Sequence, residues 1–371
     1  MKYQFERKEE VSFIFDDSSE FKNIYSLKIN QYNKVFLIYD KLLKKIWVDR
    51  IINKLISHNK IILIPLKASE DTKSIPFISK ISNQLEKKKC SKSDVIISIG
   101  GGTILDISSF VASVYMRGID LIMIPTTLMG QADASSAGKT CVNGVLTKNL
   151  LGTLYMPKIV YNNVNLLKTA GQYSFRQGMS EIFKYGLLGS KKLLHLLNEY
   201  VDNPTNKLLI RILKETIKVR ISLVKIDPLK SNLGHTFGHA FEYESNHKVA
   251  HGDAISAGIK LALKKSFENN LLSKQEYLKT CKLMKKLNLN IKIDKKSDLN
   301  KVVDFMKKDK KSDGINIGLI LLKRIGDLKI NSSMSYFFIS QEDMKKFLTE
   351  SVMSENLLSN NQWSNLLKNK I

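Results

Sequence analysis

Apolar residues in the first half of the chain fall in short uninterrupted runs, separated by stretches in which apolar and polar positions recur with a helical period. The runs at 34–40 (KVFLIYD), 60–65 (KIILIP), 94–99 (DVIISI) and 121–125 (LIMIP) place apolar side chains on consecutive positions. That is the pattern of strands covered on both faces. Residues 158–161 (KIVY) add a further expected strand, and amphipathic stretches at 42–57 and 75–89 lie between the runs. Strands of this kind separated by helices predict a parallel, doubly wound sheet. From about Leu166 the pattern changes. Segments near 173–200, 205–225, 232–245, 253–270, 273–288 and 297–308 have helical periodicity, and 318–322 (GLILL) is the one clear late strand. The reading is an α/β domain over 1–166 and a mainly helical domain over 167–371, with no internal repeat and a polar, helix-like, peripheral tail after Gln341.

Composition changes this picture little. At 371 residues, with 43% hydrophobic and 25% charged content, the chain is long enough for two domains with their own cores. The most apolar region, 94–129, is broken by three consecutive glycines, Asp106, Arg117 and Asp120, so no membrane span is expected. The N-terminal MKYQFER has no apolar run, so no signal peptide is expected. Three isolated cysteines, Cys90, Cys141 and Cys281, fit a reducing cytoplasm rather than a disulfide framework. The net charge of +24 raises nucleic acid as a partner, yet only seven of 59 basic residues are Arg. No arginine cluster or aromatic–basic stripe appears, so no nucleic-acid partner is expected; a basic cleft for an anionic small molecule explains part of the charge.

The densest chemistry lies in Asn232–Glu242 (NLGHTFGHAFE) and the His251-Gly252 pair, which between them hold three of the six histidines. On a helix, His235 and His239 are one turn apart and point the same way. Two imidazoles on one face, with a third downstream, predict a catalytic metal centre. Such a site wants a carboxylate to complete three protein ligands, and Glu181, which shares a helical face with Lys184 in SEIFKYG, is the candidate. A surface ion pair is the plain alternative for those two. Residues 99–106 (IGGGTILD) follow a strand and precede a helix, so their glycines permit close approach of a pyrophosphate to the helix N-terminus. Thr126 and Thr127 follow another strand at the same sheet edge, and Glu70 and Lys73 follow a third. Gly138-Lys139-Thr140 imitates a P-loop, but Asp133 stands where the upstream glycine is required, so a nucleoside-triphosphatase reading is rejected. Asp133, Lys139, Lys148 and Asn149 instead form a polar set suited to hydroxyls and phosphate.

Taken in order, the motifs SEDTKS, GGGxxxD, MRG, PTTL, DxSxxGKT, KNLLG, SEIFKYG, NLGHTFGH and HGDA resemble those of the sugar-phosphate cyclase family, and within it the 3-dehydroquinate synthase branch. The resemblance runs from about Glu70 to Leu322. It implies a tightly bound NAD, a divalent metal (Zn or Co), a phosphorylated sugar substrate and a homodimer. By position it assigns Glu181, His235 and His251 to the metal. It assigns Glu70, Lys73, Gly101, Gly102, Asp106, Thr126, Thr127, Lys148 and Thr169 to NAD, with Lys139 serving cofactor and substrate. Asp133, Asn149, Lys184, Asn232 and His239 would meet substrate, Arg117 would reach the phosphate from the partner subunit, and Lys310 of the Asp309–Lys311 run would approach it too. The implied reaction is a lyase cyclisation within the shikimate route to aromatic amino acids. A heptulosonate 7-phosphate is transiently oxidised, loses phosphate by β-elimination, is reduced again and closes by an intramolecular aldol step.

One departure bears on the substrate. The family loop before Asn232 carries an arginine that, with an upstream lysine, grips the substrate carboxylate. Here residues 227–232 (DPLKSN) are too few for that loop. Lys230 is the nearest cation, with Lys218 or Arg220 standing for the upstream lysine, and Arg and Lys are not interchangeable at a carboxylate. Ala137, Thr147 and Asp253 are smaller departures. A cyclase acting on sedoheptulose 7-phosphate or glucose 6-phosphate, which lack the carboxylate, is therefore an alternative, although Asn232 is the residue expected in the dehydroquinate branch. Two other classes compete: a metal-dependent polyol dehydrogenase, which the lysine cluster disfavours, and a degenerate binding protein, which the intact ligand set disfavours.

Overall fold

Val35, Leu37 and Tyr39 pack into one core cluster and Phe36 and Ile38 into another. A strand whose successive side chains enter two cores must be covered on both faces, and the strands around it share this arrangement. The computed structural model describes residues 10–55, 60–136, 138–145, 148–289, 291, 293–294, 296–327 and 334–357. Six strands form one sheet: β1 (Ser12–Asp16), β2 (Lys34–Asp40), β3 (Lys60–Leu66), β4 (Val95–Gly100), β5 (Asp120–Pro125) and β6 (Ile159–Asn163). Their order is β1-β6-β5-β4-β2-β3, and every pairing is parallel. The four runs expected as buried strands and the one at 158–161 all lie in this sheet. β1 escaped the sequence reading because its five residues gain their partner only by pairing Ser12 with Ile159, far along the chain.

The chain moves outward from β2 to β3 and then returns to place β4 on the other side of β2. The order therefore reverses between β2 and β4, and in an open α/β sheet the crevice at the carboxyl ends of such strands is where ligands bind. Helices α1 (Asp49–Leu55), α2 (Ile75–Lys87), α3 (Gly102–Val114) and α4 (Leu128–Ala132) make the connections. The stretch expected as one amphipathic helix over 42–57 is instead a short 3-10 turn, a π segment at Lys44–Val48 and then α1. Leu42 and Ile46 are exposed there, so the apolar period does not follow one helical face.

The later half holds α5 (Gly171–Gly189), α6 (Lys191–Asp202), α7 (Asn206–Ile226), α8 (His235–Glu244), α9 (His251–Glu268), α10 (Lys274–Lys286), α11 (Leu299–Met306) and α12 (Gln341–Leu357). An antiparallel pair, β7 (Ile317–Leu322) and β8 (Met334–Ile339), accompanies them. The expected helix over 173–200 is two helices because Ser190 is extended and its hydroxyl accepts from Leu193 N at 3.0 Å, capping a new start. By contact the described residues form two compact units. One comprises Met1–Gly178 with Pro204–Ile221, the other Met179–Asn203 with Ser222–Ile371. The division passes within α5 and α7. Among the described residues, no helix is long and apolar enough to cross a membrane.

In the second unit α8 and α9 approach through glycines. Gly234 has φ +78°, and a Cβ there would lie 2.6 Å from the Ile259 nitrogen; a Cβ at Gly258 would overlap the Gly234 carbonyl oxygen. Neither backbone can yield to a methyl group without separating the helices. Thr236 also donates to the Gly318 carbonyl of β7 at 3.1 Å. Gly258→Ala is expected to cost about 1–3 kcal/mol of stability, read as a lower urea midpoint at unchanged m-value, and to weaken binding of a divalent ion along with it.

Candidate functional site

In the second unit, α5 presents Glu181, α8 presents His235 and His239, and His251 opens α9. Glu181 is 1% exposed. One of its oxygens, Oε2, pairs with the Lys184 ammonium, which is itself buried and stands 4.4 Å from the Tyr185 ring centroid. The pair is thus interior, not the surface i,i+3 pair that the spacing alone allowed. The other oxygen, Oε1, faces His235 Nε2 at 3.7 Å and His251 Nε2 at 3.6 Å. These gaps are too long for hydrogen bonds, and neither carboxylate oxygen has a properly directed hydrogen bond. Two atoms bound to one tetrahedral zinc at its usual bond lengths lie about 3.3 Å apart. Glu181, His235 and His251 therefore converge as ligands around a small cation would, and their nitrogen and oxygen donors suit Zn²⁺ or Co²⁺.

The electrostatics agree. Burial pushes the Glu181 carboxyl up, but Lys184 and His251 outweigh it and hold it at about 2. Burial, then the Lys184 charge, keeps His235 well below its usual value. Burial, then His251, lowers His239 to about 4. Glu181 and His235 thus stand in the charge state a metal requires, whereas His251, which burial pushes down but hydrogen bonds to Glu181 and Glu242 raise to about 10, gives up a proton when an ion binds. His235 Nδ1 donates to the Leu233 carbonyl at 3.1 Å, leaving Nε2 as the ligand atom. The His239 ring lies 5.2 Å from that of His235 and 6.0 Å from that of His251. Of the two lysines in the Asp309–Lys311 run, Lys310 is exposed. Lys311 is buried, paired with Asp309 at 2.6 Å, and acts electrostatically on His239. A lysine tucked under β7 cannot be distinguished from its neighbour by sequence. Asn232 precedes α8 and accepts from His235 N through its carbonyl at 3.1 Å, while its side-chain amide hydrogen-bonds to no described residue.

In the first unit, Gly100 ends β4 and Gly101 caps α3. A Cβ at Gly100 would lie 2.6 Å from Ile104 Cβ, whereas one at Gly102 would meet nothing within 4 Å. Packing explains the first glycine. The open space over the third, at a helix N-terminus beside the switch point, suits a phosphate group. Thr126 is buried nearby, and the Thr127 hydroxyl caps α4 by accepting from Gly130 N at 3.1 Å. Lys73 is 4% exposed and donates to Asp106 Oδ2 at 2.8 Å and to Asn149 Oδ1 at 2.6 Å. Burial opposes the Lys73 charge, but Asp106 foremost among its neighbours raises its pKa above the ordinary lysine value. Two residues to which the sequence reading gave no role complete this network. Cys141 Sγ donates to Asn149 Oδ1 at 3.2 Å. Asn143 accepts from Asn149 N at 3.0 Å and donates to Glu70 Oε2 at 3.1 Å. Nothing in their spacing announces the role; it arises because Asn143 N donates to the Lys73 carbonyl at 2.7 Å and its amide donates to Glu70, seating these residues against the 70–73 turn.

Lys139 and Lys148 are exposed on that loop. Asp133 accepts from Arg220 Nε at 2.6 Å. The Thr169 hydroxyl accepts from Trp47 Nε1 at 2.7 Å. Arg117 ends the turn before β5, at the sheet edge opposite the glycine turn and so apart from the Lys73–Asp106 network of its own unit. In the shortened segment 227–232, the Tyr336 hydroxyl donates to Asp227 Oδ2 at 3.0 Å and Lys230 Nζ stands 5.8 Å from the Tyr336 ring centroid. Ala137 and Thr147 lie outside the described residues.

Residues 63–177 match the family model described as 3-dehydroquinate synthase N-terminal, and residues 178–312 the one described as 3-dehydroquinate synthase C-terminal. A 3-dehydroquinate synthase of Pelagibacter ubique is 34% identical over 329 residues, which cover 84% of this chain and 89% of that protein. The chain belongs to the 3-dehydroquinate synthase family. Its fold is shared by a 2-deoxy-scyllo-inosose synthase solved with carbaglucose-6-phosphate, NAD⁺ and Co²⁺, at TM-score 0.79 and 22% identity, covering 91% of this chain and 96% of that one. A 2-epi-5-epi-valiolone synthase from Streptomyces hygroscopicus subsp. jinggangensis, with NAD⁺ and Zn²⁺ bound, gives TM-score 0.82 at 19% identity, covering 95% and 100%. Membership of the synthase family accounts for the motif order.

The buried Lys73–Asp106 pair is expected to behave as a unit. Lys73→Met, which strands the Asp106 carboxylate, should cost about 3–5 kcal/mol in denaturant unfolding, and the double variant Lys73→Met/Asp106→Leu should recover much of that loss.

Proposed function

We propose that this chain is an enzyme, a sugar-phosphate cyclase that uses NAD and a divalent metal to convert a phosphorylated sugar into a carbocycle with loss of phosphate. The observation carrying this reading is the convergence of Glu181 Oε1, His235 Nε2 and His251 Nε2, taken with the family. When bound, the two cofactors supply reversible hydride exchange and Lewis acidity toward a vicinal diol. The remaining chemistry falls to the chain and the substrate. The open glycine turn at Gly101-Gly102 and the α3 N-terminus take a pyrophosphate, while Glu70, Lys73, Asp106, Thr126, Thr127, Lys139, Lys148 and Thr169 hold the rest of the nucleotide. Asp133, Asn149, Asn232 and His239 orient substrate hydroxyls, with His239 kept neutral by its surroundings so that it accepts or donates at a ring nitrogen. Lys184 holds Glu181 ionised. Lys311, rather than Lys310, is the lysine of its run that faces this histidine cluster. Oxidation at one carbon acidifies its neighbour, the departing phosphate takes the proton, and re-reduction, ring opening and an aldol step follow. The protein mainly positions groups and stabilises charge.

Two substrates fit. The arginine-bearing loop that would hold a carboxylate is absent, Arg220 is engaged by Asp133, and Lys230 packs over Tyr336; these features favour a sugar phosphate without a carboxylate. Asn232 and the name of the Pelagibacter relative favour 3-deoxy-arabino-heptulosonate 7-phosphate and the dehydroquinate synthase reaction. Phosphate release, measured in parallel on this substrate, sedoheptulose 7-phosphate and glucose 6-phosphate with NAD and Zn²⁺ or Co²⁺, decides between them. Release from one of the three without net NADH is expected; NADH accumulation on any would sink the cyclase reading. In the proposed homodimer Arg117 serves the partner's site, which its place at the far sheet edge supports. Arg117→Ala and Glu181→Gln proteins should each be inactive, and an equal mixture of refolded subunits should regain about a quarter of wild-type activity, because one site of each mixed dimer is intact. No recovery would overturn the shared site.

A further inference from the structure

We propose that Glu242 is a positioning residue of the metal centre, holding His251 in the orientation and tautomer that turn Nε2 toward Glu181 and His235. The inference rests on the metal reading above and adds a residue to it. A neutral imidazole offers one lone pair, so a histidine ligand must carry its proton on the other nitrogen, and something must hold that nitrogen in place. For His235 the backbone does this through the Leu233 carbonyl. His251 is the first residue of α9 and its side chain is 42% exposed, so burial alone does not fix its ring. Its Nδ1 lies 3.1 Å from Glu242 Oε2, whose side chain is only 14% exposed. An ionised carboxylate only accepts, so Glu242 retains the hydrogen on Nδ1, and it is Nε2 that would give up its proton and offer a lone pair to an ion.

Helical spacing makes the arrangement economical. His235, His239 and Glu242 stand at i, i+4 and i+7 of α8 and share one face. One helix thus supplies a ligand and also orients the ligand arriving from α9, at a distance fixed by the close contact of Gly234 and Gly258. Charge supplies a second reason. Lys184 already balances Glu181, so a divalent ion would enter with its charge unopposed unless a further carboxylate stood behind a ligand. The cluster His239, Glu242 and His251 also has metal-ligand spacing; because the His251 contact to Glu242 is a hydrogen bond, the structure assigns that cluster to support rather than to a second ion.

The test is Zn²⁺ affinity of the full-length metal-free protein by competition with a chromophoric chelator, together with the visible spectrum of the Co²⁺ form and the melting temperature of the apo form. Wild type should bind one ion, and Glu181→Gln should bind none. Glu242→Ala should bind about 10–100-fold more weakly with an unchanged apo melting temperature. Glu242→Gln, whose amide oxygen still accepts from Nδ1, should recover much of that loss and keep a near-wild-type Co²⁺ spectrum. Should Glu242→Ala not fold, the Gln variant and its spectrum carry the test, and affinity and spectrum equal to those of Glu242→Leu would overturn it. Equal affinity of wild type and Glu242→Ala would overturn the role of Glu242 while leaving the metal reading intact. Two ions per wild-type chain would make Glu242 a ligand and overturn it too. Failure of wild type itself to bind would remove the metal reading.

Discussion

A carboxylate that is 1% exposed sets the terms for the second unit of this protein. An isolated charge in that position would be prohibitively costly, so Glu181 must be surrounded by positive or polarisable partners. Lys184, one turn along the same helix, takes one oxygen, and the Nε2 atoms of His235 and His251 face the other. The demand reaches outward from there. His235 must be held by the Leu233 carbonyl, α8 must lie against α9, and both must pack on β7. The glycines at 234 and 258 are the local answer to that crowding, since their backbones touch where any side chain would part the helices.

A comparable constraint orders the first unit. The sheet is covered on both faces, so its polar chemistry is confined to the carboxyl ends of the strands. There Lys73, Asp106, Asn149 and Cys141 hydrogen-bond as one network, with Asn143 and Glu70 joined to it. A lysine and an aspartate this buried are tolerated because they neutralise each other. Their mutual attraction draws together the 70–73 turn and the first turns of α3, with Asn149 and Cys141 bonded to the pair.

The segment 227–232, which the sequence reading finds too short for the family's arginine loop, has structural partners of its own. With few residues between α7 and α8, the segment is short enough to be pinned by one hydrogen bond from Tyr336 to Asp227, and Lys230 settles over the same ring. The cations nearest the altered end are thereby given structural partners.

Periodicity by itself determined a great deal. The runs at 34–40, 94–99 and 121–125 carry apolar side chains on both sides of the pleat, as a sheet covered on both faces requires, and His235 and His239 share a helical face by spacing alone. The same reading missed β1, whose identity depends on a partner nearly 150 residues away, and β8, which gains its character by pairing with β7. The tertiary structure alone decided which members of each set meet. It buried Glu181 and Lys184 instead of leaving a surface pair, buried Lys311 while leaving Lys310 exposed, and brought Cys141, Asn143 and Glu242 beside groups that local sequence does not connect to them. Local pattern records which face of an element must leave water. Which side chains then share a charge or a proton depends on distances between elements, and those are set only when the elements pack.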